Sequence, residues 1–330
     1  MGSLFCGARL RLLAWDAEYG PEVALDAPVG NGEEVDLAVE VEPARWQPIQ
    51  PHDAVRPARV VFVDGVRRID VRLLGTRGDA VFHGLFGSYA VGTVVLQPGS
   101  ARLGTHVVGR RVVLGAGEAL REPVTIAPAL TYEPLSTPER EPDAPLRALQ
   151  SDMRRVEEAV ARDAAAGGDA LVVADGPLTF EGTPGERVVG YVKRVHDLHL
   201  PHSCLPLLAA LPAGARTPLF ALRHSKRFAR YSWFVRLAAP APGAASLYGL
   251  ARLEVVASIG AEAARALADQ TAALLPGLAP SPVRDPRSPQ NLLPIGGLEA
   301  HLRTRLGDRR VVAAAIERAV VKEALHEPTS

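Results

Sequence analysis

Cysteine is nearly absent. Cys6 and Cys204 are the only two among 330 residues. So far apart, they make neither a disulfide framework nor a CxxC metal knuckle, and a reducing cytoplasm is the expected setting. Lysine is scarce as well, at three of the 37 Lys and Arg residues. No stretch approaches the ~20 apolar residues of a membrane-spanning helix. The longest uncharged candidate, 198–215, contains three prolines and two histidines. The start MGSLFCGARLRLLAWD has no cationic leader before its apolar patch and meets Asp16 too soon for a signal peptide. Cys6 also breaks the myristoylation pattern. These absences lead us to expect a soluble cytoplasmic protein. The chain lacks G-x-x-x-x-G-K-[ST] and any Gly-Lys pair, so ATP-driven movement has to come from another chain. It lacks the G-x-S-x-G elbow of serine hydrolases. No solenoid-period repeat or heptad pattern is present.

What is there suits a globular protein. The chain is 47% hydrophobic and 22% charged, which excludes wholesale disorder. Its zero net charge hides an asymmetry. Residues 1–57 hold ten acidic and four basic side chains, whereas residues 187–236 hold nine basic and one acidic. The acidic stretch alternates in places (Val35-Asp36-Leu37, Val39-Glu40-Val41) and reads as short strands. It forms an acidic, β-rich N-terminal elaboration, 1–57, ahead of a main unit spanning 58–330.

The main unit opens with Arg59-Val-Val-Phe-Val63 running into Asp64-Gly65, which reads as a short buried strand closed by a turn. Strand runs follow at 69–74, 81–96 and 105–114, spaced for antiparallel hairpins. A helix begins at Asp143 with Pro145 in its first turn. Leu146, Leu149, Met153, Val156 and Val160 recur along it at three- and four-residue steps, and Gly167-Gly168 ends it. Leu171-Val-Val-Ala174 is a second apolar strand ending in Asp175-Gly176. Strands are expected at 187–194, 232–238 and 247–257, and helices at about 261–275, 296–306 and 309–325. The fold class is therefore α/β, a mixed sheet flanked by helices.

The two Asp-Gly pairs carry the chemistry. The order strand, hairpins, helix, strand lets the second strand return parallel beside the first through a right-handed crossover. Asp64 and Asp175 then sit side by side where open α/β sheets place ligands. Two such carboxylates repel, and a hard divalent cation relieves the repulsion. That is how a two-metal phosphodiesterase site is built. A third carboxylate should come from the crossover helix. Glu157, four residues after Met153 and three before Val160, borders the buried stripe; Glu158 is turned more to solvent. The alternative is a solvated helix Glu beside several arginines.

Asp64-Gly65, the helix with Glu157, Asp175-Gly-Pro-Leu178, Gly190-Tyr-Val-Lys193 and Asp285-Pro-Arg-Ser-Pro-Gln-Asn-Leu-Leu-Pro294 with Ala300-His301 resemble the NurA nucleases. The resemblance covers about 58–325. It implies an RNase H-like core, Mn²⁺-dependent (or Mg²⁺-dependent) cleavage of DNA with one or two ions, and homodimerisation around a channel. It further implies 5′–3′ exonuclease and single-strand endonuclease activity in end resection and double-strand break repair, with a HerA-like hexameric ATPase. Two departures stand out: Val66 and Pro177 occupy positions where the family usually has Ser. Neither removes a carboxylate, and both bear on substrate or water positioning.

Carried onto this chain, the resemblance assigns metal binding to Asp64, Glu157 and Asp175, and catalysis to these with Lys193 and His301. Lys193 would meet the scissile phosphate as a compact charge. His301 would lie next to phosphate or metal; a hydrogen-bonded packing histidine is the bland alternative. Independently, 216–236 carries six basic side chains and no acidic one, interleaved with aromatic residues. Cations that track phosphates and rings that stack on bases suit single-stranded DNA. The expected DNA contacts are Arg223, Lys226, Arg227, Arg230, Tyr231 and Trp233, unless those rings are core and the arginines a solvated face. The rival to a nuclease is a catalytically decayed DNA-binding subunit. For the partner ATPase the acidic N-terminal segment is the expected surface, and the helix around Val311–Leu325 is expected to pack within the dimer.

Overall fold

Three long strands, dense in valine, leucine and glycine, make the centre of the chain. A computed structural model describes residues 9–12, 33–43, 45–179, 187–193, 198–224, 227–240, 247–281, 283 and 287–326. Two short strands, β1 (Arg9–Leu12) and β2 (Glu33–Asp36), precede the meander of β3 (Val60–Arg77), β4 (Ala80–Gln97) and β5 (Ser100–Leu114). The two hairpins turn at Gly78, with φ 57°, and at Gly99, with φ 74°, in the left-handed region that glycine alone enters freely. A small hairpin of β6 (Val124–Ala127) and β7 (Leu130–Ser136) leads into helix α1 (Ala144–Ala165). Then come β8 (Leu171–Asp175), β9 (Val188–Val192), the short helix α2 (Leu205–Ala210), β10 (Phe220–His224), β11 (Arg227–Arg236) and β12 (Leu250–Val256). Helices α3 (Ala261–Leu274), α4 (Leu293–Arg305) and α5 (Arg309–His326) close the chain.

The strands form one large sheet in the order β2-β10-β11-β12-β9-β8-β3-β4-β5-β7-β6, with β1 also paired to β3. Most neighbours are antiparallel. β5 and β7 pair in parallel, and two further parallel pairings position the site: β8 lies parallel to both β3 and β9. The five strands β5-β4-β3-β8-β9 thus comprise an antiparallel meander whose first strand pairs in parallel with the strand returning from α1, as expected for an RNase H-like core. Alternation along β3 divides the packing. Val61 and Val63 face α1 through Leu149 and Met153, while Val60 and Phe62 face α3 and α4 through Leu267, Ile295 and Leu302. Leu149, which has no exposed surface, contributes on the order of 2 kcal/mol to that layer.

Three expectations are corrected. Asp64-Gly65 does not end its strand: β3 runs on for 18 residues, with Asp64 opposite Gly92 and Gly65 opposite Val91. The backbone stays paired to β4, and Val66, Val71 and Leu73 continue to bury side chains, so the dipeptide has no reason to turn. The second pair does end its strand, at Gly176 with φ 97°. Helix α4 starts at Leu293, three residues earlier than the periodicity suggests, with Pro294 in its first turn. Within α5, Val312, Ile316 and Val320 are buried in one cluster of this chain with Leu73 of β3 and Val124 of β6, leaving Val311 and Val321 exposed. No helix among the described residues is long and apolar enough to cross a membrane.

Candidate metal centre

β3 and β8 pair from Val60↔Leu171 to Val63↔Ala174. The next step in that register sets Asp64 beside Asp175. β9 in turn pairs Asp175 with Tyr191, and Lys193 follows two residues on. By alternation, Asp64, Asp175 and Lys193 share the sheet face on which Phe62, Val173 and Tyr191 are buried. Helix α4 crosses that face and supplies a further carboxylate. Glu299 stands four residues after Ile295 and three before Leu302, both buried, and is itself only 7% exposed. One carboxylate oxygen from each of Asp64, Asp175 and Glu299 lies within 4.8 Å of the other two.

Their electrostatics are unbalanced. Asp64 Oδ1 accepts the N–H of Gly65 at 2.8 Å, whereas its Oδ2 is buried and accepts no hydrogen bond from the described residues. Burial first, then the charge of Asp175, pushes the Asp64 pKa well above the usual carboxylate range. Glu157 and Glu299 add to the rise, and Lys193 opposes it. Lys193 Nζ donates to Asp175 Oδ2 at 2.6 Å and to Asn291 Oδ1 at 2.9 Å, and lies 3.8 Å from Glu299 Oε1. Burial alone would lower the lysine's pKa, but Asp175, Asp64 and Glu299 outweigh it and the pKa rises. Glu299 is also paired with Arg287 at 2.9 Å and Arg303 at 3.2 Å.

Glu157 reaches the same sheet position from the opposite face. Its Oε1 occupies the space that a Cβ on Gly65 would need, next to Met153 Sδ. Burial, then Asp175, raises its pKa to about 8 against the opposing charge of Arg154. Absence of a side chain at position 65 is what lets this carboxylate approach the strand.

The turn after Asp175 is held by a buried network. Glu254 accepts the N–H of Leu178 at 2.8 Å and is paired with Arg230 at 3.0 Å and Arg252 at 2.7 Å. Burial would raise the Glu254 pKa, but Arg252 and Arg230 prevail and lower it. Gly176 N–H donates to Tyr191 O at 2.8 Å, and the Tyr191 hydroxyl donates to Gln290 O at 2.7 Å. Val66 is a core residue at 7% exposure.

The structure therefore groups Asp64, Asp175 and Lys193, with Glu157 adjoining. It does not bring His301 to them. On α4, His301 is turned about 200° from Glu299. Its ring packs edge-on against His106 at 5.8 Å, and it accepts from Arg305 Nε at 3.3 Å. Glu299 and Asn291 were missed, although the stripe-border spacing that singles out Glu157 applies equally to Glu299.

The proposed DNA contacts need larger correction. Trp233 has no exposed surface and donates through Nε1 to Thr271 Oγ1 at 3.2 Å. Arg230 is 4% exposed and committed to Glu254. Tyr231 packs half-buried against the core. The physical reason is layering: Trp233 and Val235 of β11 pack into the cluster that includes Leu267 of α3, and Phe234 into a second cluster with Leu208 of α2, so alternate residues are buried on both faces. Arg223 remains exposed, 3.5 Å from Asp36. Lys226 and the Arg227 side chain lie outside the described residues. The acidic and basic segments partly neutralise each other, since Glu42 also pairs with the buried Arg216 at 2.7 Å.

The arrangement is suited to a hard cation. Three oxygen ligands on separate elements converge, and the buried Asp64 Oδ2 has a lone pair for which the described residues supply no donor. No protein-family model and no curated protein matches the chain. Among solved structures it is similar to the crystal structure of the NurA nuclease from Sulfolobus solfataricus, at 10% identity and a TM-score of 0.49, covering 86% of this chain and 89% of that one.

Proposed function

We propose that the chain is a metal-dependent nuclease that hydrolyses DNA phosphodiesters. The observation that carries this reading is the Asp64–Asp175–Glu299 triad with its unpartnered buried oxygen. Oxygen-only ligands favour Mn²⁺ or Mg²⁺ over softer metals. Asp64, Asp175 and Glu299 would hold one ion, and Glu157 would adjoin a second. When bound, such ions stabilise charge on the phosphate and lower the pKa of water.

The chain's own residues do the rest. Burial and Asp175 raise the Glu157 pKa to about 8 in the metal-free protein; beside a bound cation the carboxylate is favoured, and it would then hold the ion or accept a proton from water. Lys193 would orient the scissile phosphate, and the Glu254 network would keep the Asp175 turn in place. His301 and Arg305, on the other flank of α4, would meet the nucleic acid away from the reacting phosphate. That the nucleic acid is DNA, taken at ends or as single strands, rests on the five sequence motifs that resemble NurA. The same resemblance supports a homodimer working in end resection. With no nucleotide-binding loop in the sequence, movement along DNA would be supplied by a HerA-like hexameric ATPase.

The test is cleavage of end-labelled single-stranded and duplex DNA in Mn²⁺, Mg²⁺ or EDTA. Cleavage should require the metal and fall by at least ~100-fold in Asp64→Asn, since losing even an outer-shell partner of a metal commonly costs 10–100-fold. DNA binding without cleavage in every metal would instead identify a non-catalytic DNA-binding subunit.

A further inference from the structure

The ammonium of Lys193 sits among the groups that would receive the metal. Asp175 Oδ2 is 2.6 Å from Nζ, Glu299 Oε1 is 3.8 Å away, and the third partner is Asn291, itself 1% exposed. Two of the three triad carboxylates are therefore held by one lysine, while Asp64 keeps an oxygen with no donor among the described residues. Arg287 and Arg303 pair with Glu299 as well, whereas Lys193 is shared between Glu299 and Asp175. A divalent ion ligated by both Asp175 and Glu299 competes for the lone pairs that now face Nζ.

The residue type suits a removable occupant. An ammonium on a four-carbon stem is a point charge that leaves by rotating its own bonds, whereas a guanidinium fork would lock onto a carboxylate at two points. In a chain whose cations are otherwise nearly all arginine, a lysine stands at this place. It lies just past the end of β9, so its backbone is fixed by the sheet while its head is held by the side chains of Asp175, Asn291 and Glu299.

We propose that Lys193 is an internal counter-ion. It holds Asp175 and Glu299 together in the metal-free protein and is displaced when a divalent cation binds, which frees its ammonium for the substrate phosphate. This rests on reading the triad as a metal site, and the experiment separates the two. The intact protein is acylated at lysine with and without Mn²⁺, and the products are mapped by mass spectrometry. With only Lys193, Lys226 and Lys322 in the chain, the other two serve as internal references. Labelling of Lys193 should rise severalfold on adding Mn²⁺ while the references stay constant.

In parallel, Mn²⁺ binding is measured by calorimetry on wild type and Lys193→Gln. Removing a competing unit charge a few ångströms from the ion should tighten binding by about tenfold. Mn²⁺ binding to wild type with unchanged Lys193 labelling overturns the counter-ion role and leaves the metal site standing. Equal or weaker binding by a folded Lys193→Gln does the same. If neither protein binds Mn²⁺, the metal-site reading fails and the counter-ion goes with it. Should the variant not fold, the labelling of wild type decides alone.

Discussion

Two buried aspartates six residues apart on β3 have opposite surroundings. Asp70, 4% exposed, accepts from Arg68 Nε at 2.7 Å, from Tyr132 OH at 2.8 Å and from Ser88 Oγ. Arg68 then reaches the carbonyls of Leu306 and Gly307, so this carboxylate ties β3, β4, β7 and the end of α4 together. Asp64, 6% exposed, accepts only its neighbour's N–H among the described residues and faces other carboxylates. Burial does not distinguish them; the supply of donors does. A carboxylate surrounded by donors is a structural joint, whereas one left short of donors among like charges is prepared for a cation.

The largest expected effect separates these two directly. Asp70→Ala strands Arg68, Ser88 and Tyr132 in the interior and should cost about 3–5 kcal/mol of stability. Asp64→Asn removes an uncompensated charge and should leave the metal-free protein equally or more stable. Urea unfolding of both variants in EDTA checks this, and similar losses in both would dissolve the distinction.

A second pair extends the contrast to the basic segment. Arg230→Ala leaves Glu254 with one guanidinium fewer and loosens the Leu178 turn, at a cost of about 2–3 kcal/mol. Arg223→Ala removes an exposed pair with Asp36 and should change stability by less than about 0.5 kcal/mol. Thermal unfolding ranks them, and the reverse order would return Arg230 to the surface.

A third contrast is in pH. The pKa of Glu157 is raised from an ordinary 4.5 to about 8 on folding, so the folded state keeps a proton that the unfolded state releases. Metal-free stability is therefore greatest below about pH 4.5 as far as this group is concerned, and it declines as pH rises towards 8. Asp64 acts in the same direction. The loss from Glu157 should be on the order of 2 kcal/mol once partial solvent access is allowed for. Denaturation across this range on wild type and Glu157→Gln measures it; an unchanged slope in the variant would place Glu157 in solvent.

Residues of the sequence taken singly were legible where local periodicity decides. Leu146, Leu149 and Met153 mark α1 by their spacing, and 171–174 marks β8 by its apolar run, because helix and strand periods are local properties. Asp64-Gly65 misled, since whether such a dipeptide turns depends on β4 continuing to pair beside it. Trp233 and Arg230 misled for a similar reason: alternating basic and aromatic residues look the same on an exposed strand and on one buried on both faces. Glu299 carried a local signal, its place on the edge of the α4 stripe, but only the packing of α4 across β3 turns it towards Asp64.

The sequence by itself determined the order strand, hairpins, helix, strand, and with it the parallel return that pairs the strand of Asp64 with the strand of Asp175. That follows from chain connectivity and handedness, which need no long-range coordinates. The tertiary structure alone decided which charges meet. Among the described residues Asp64 Oδ2 has no donor while Asp70 has three, Lys193 lies on Asp175 rather than in solvent, and α4 presents Glu299 to the cluster and His301 to His106. Each of these depends on side chains far apart in the chain arriving within a few ångströms, and electrostatic interaction falls off with the distances that only the packed fold sets.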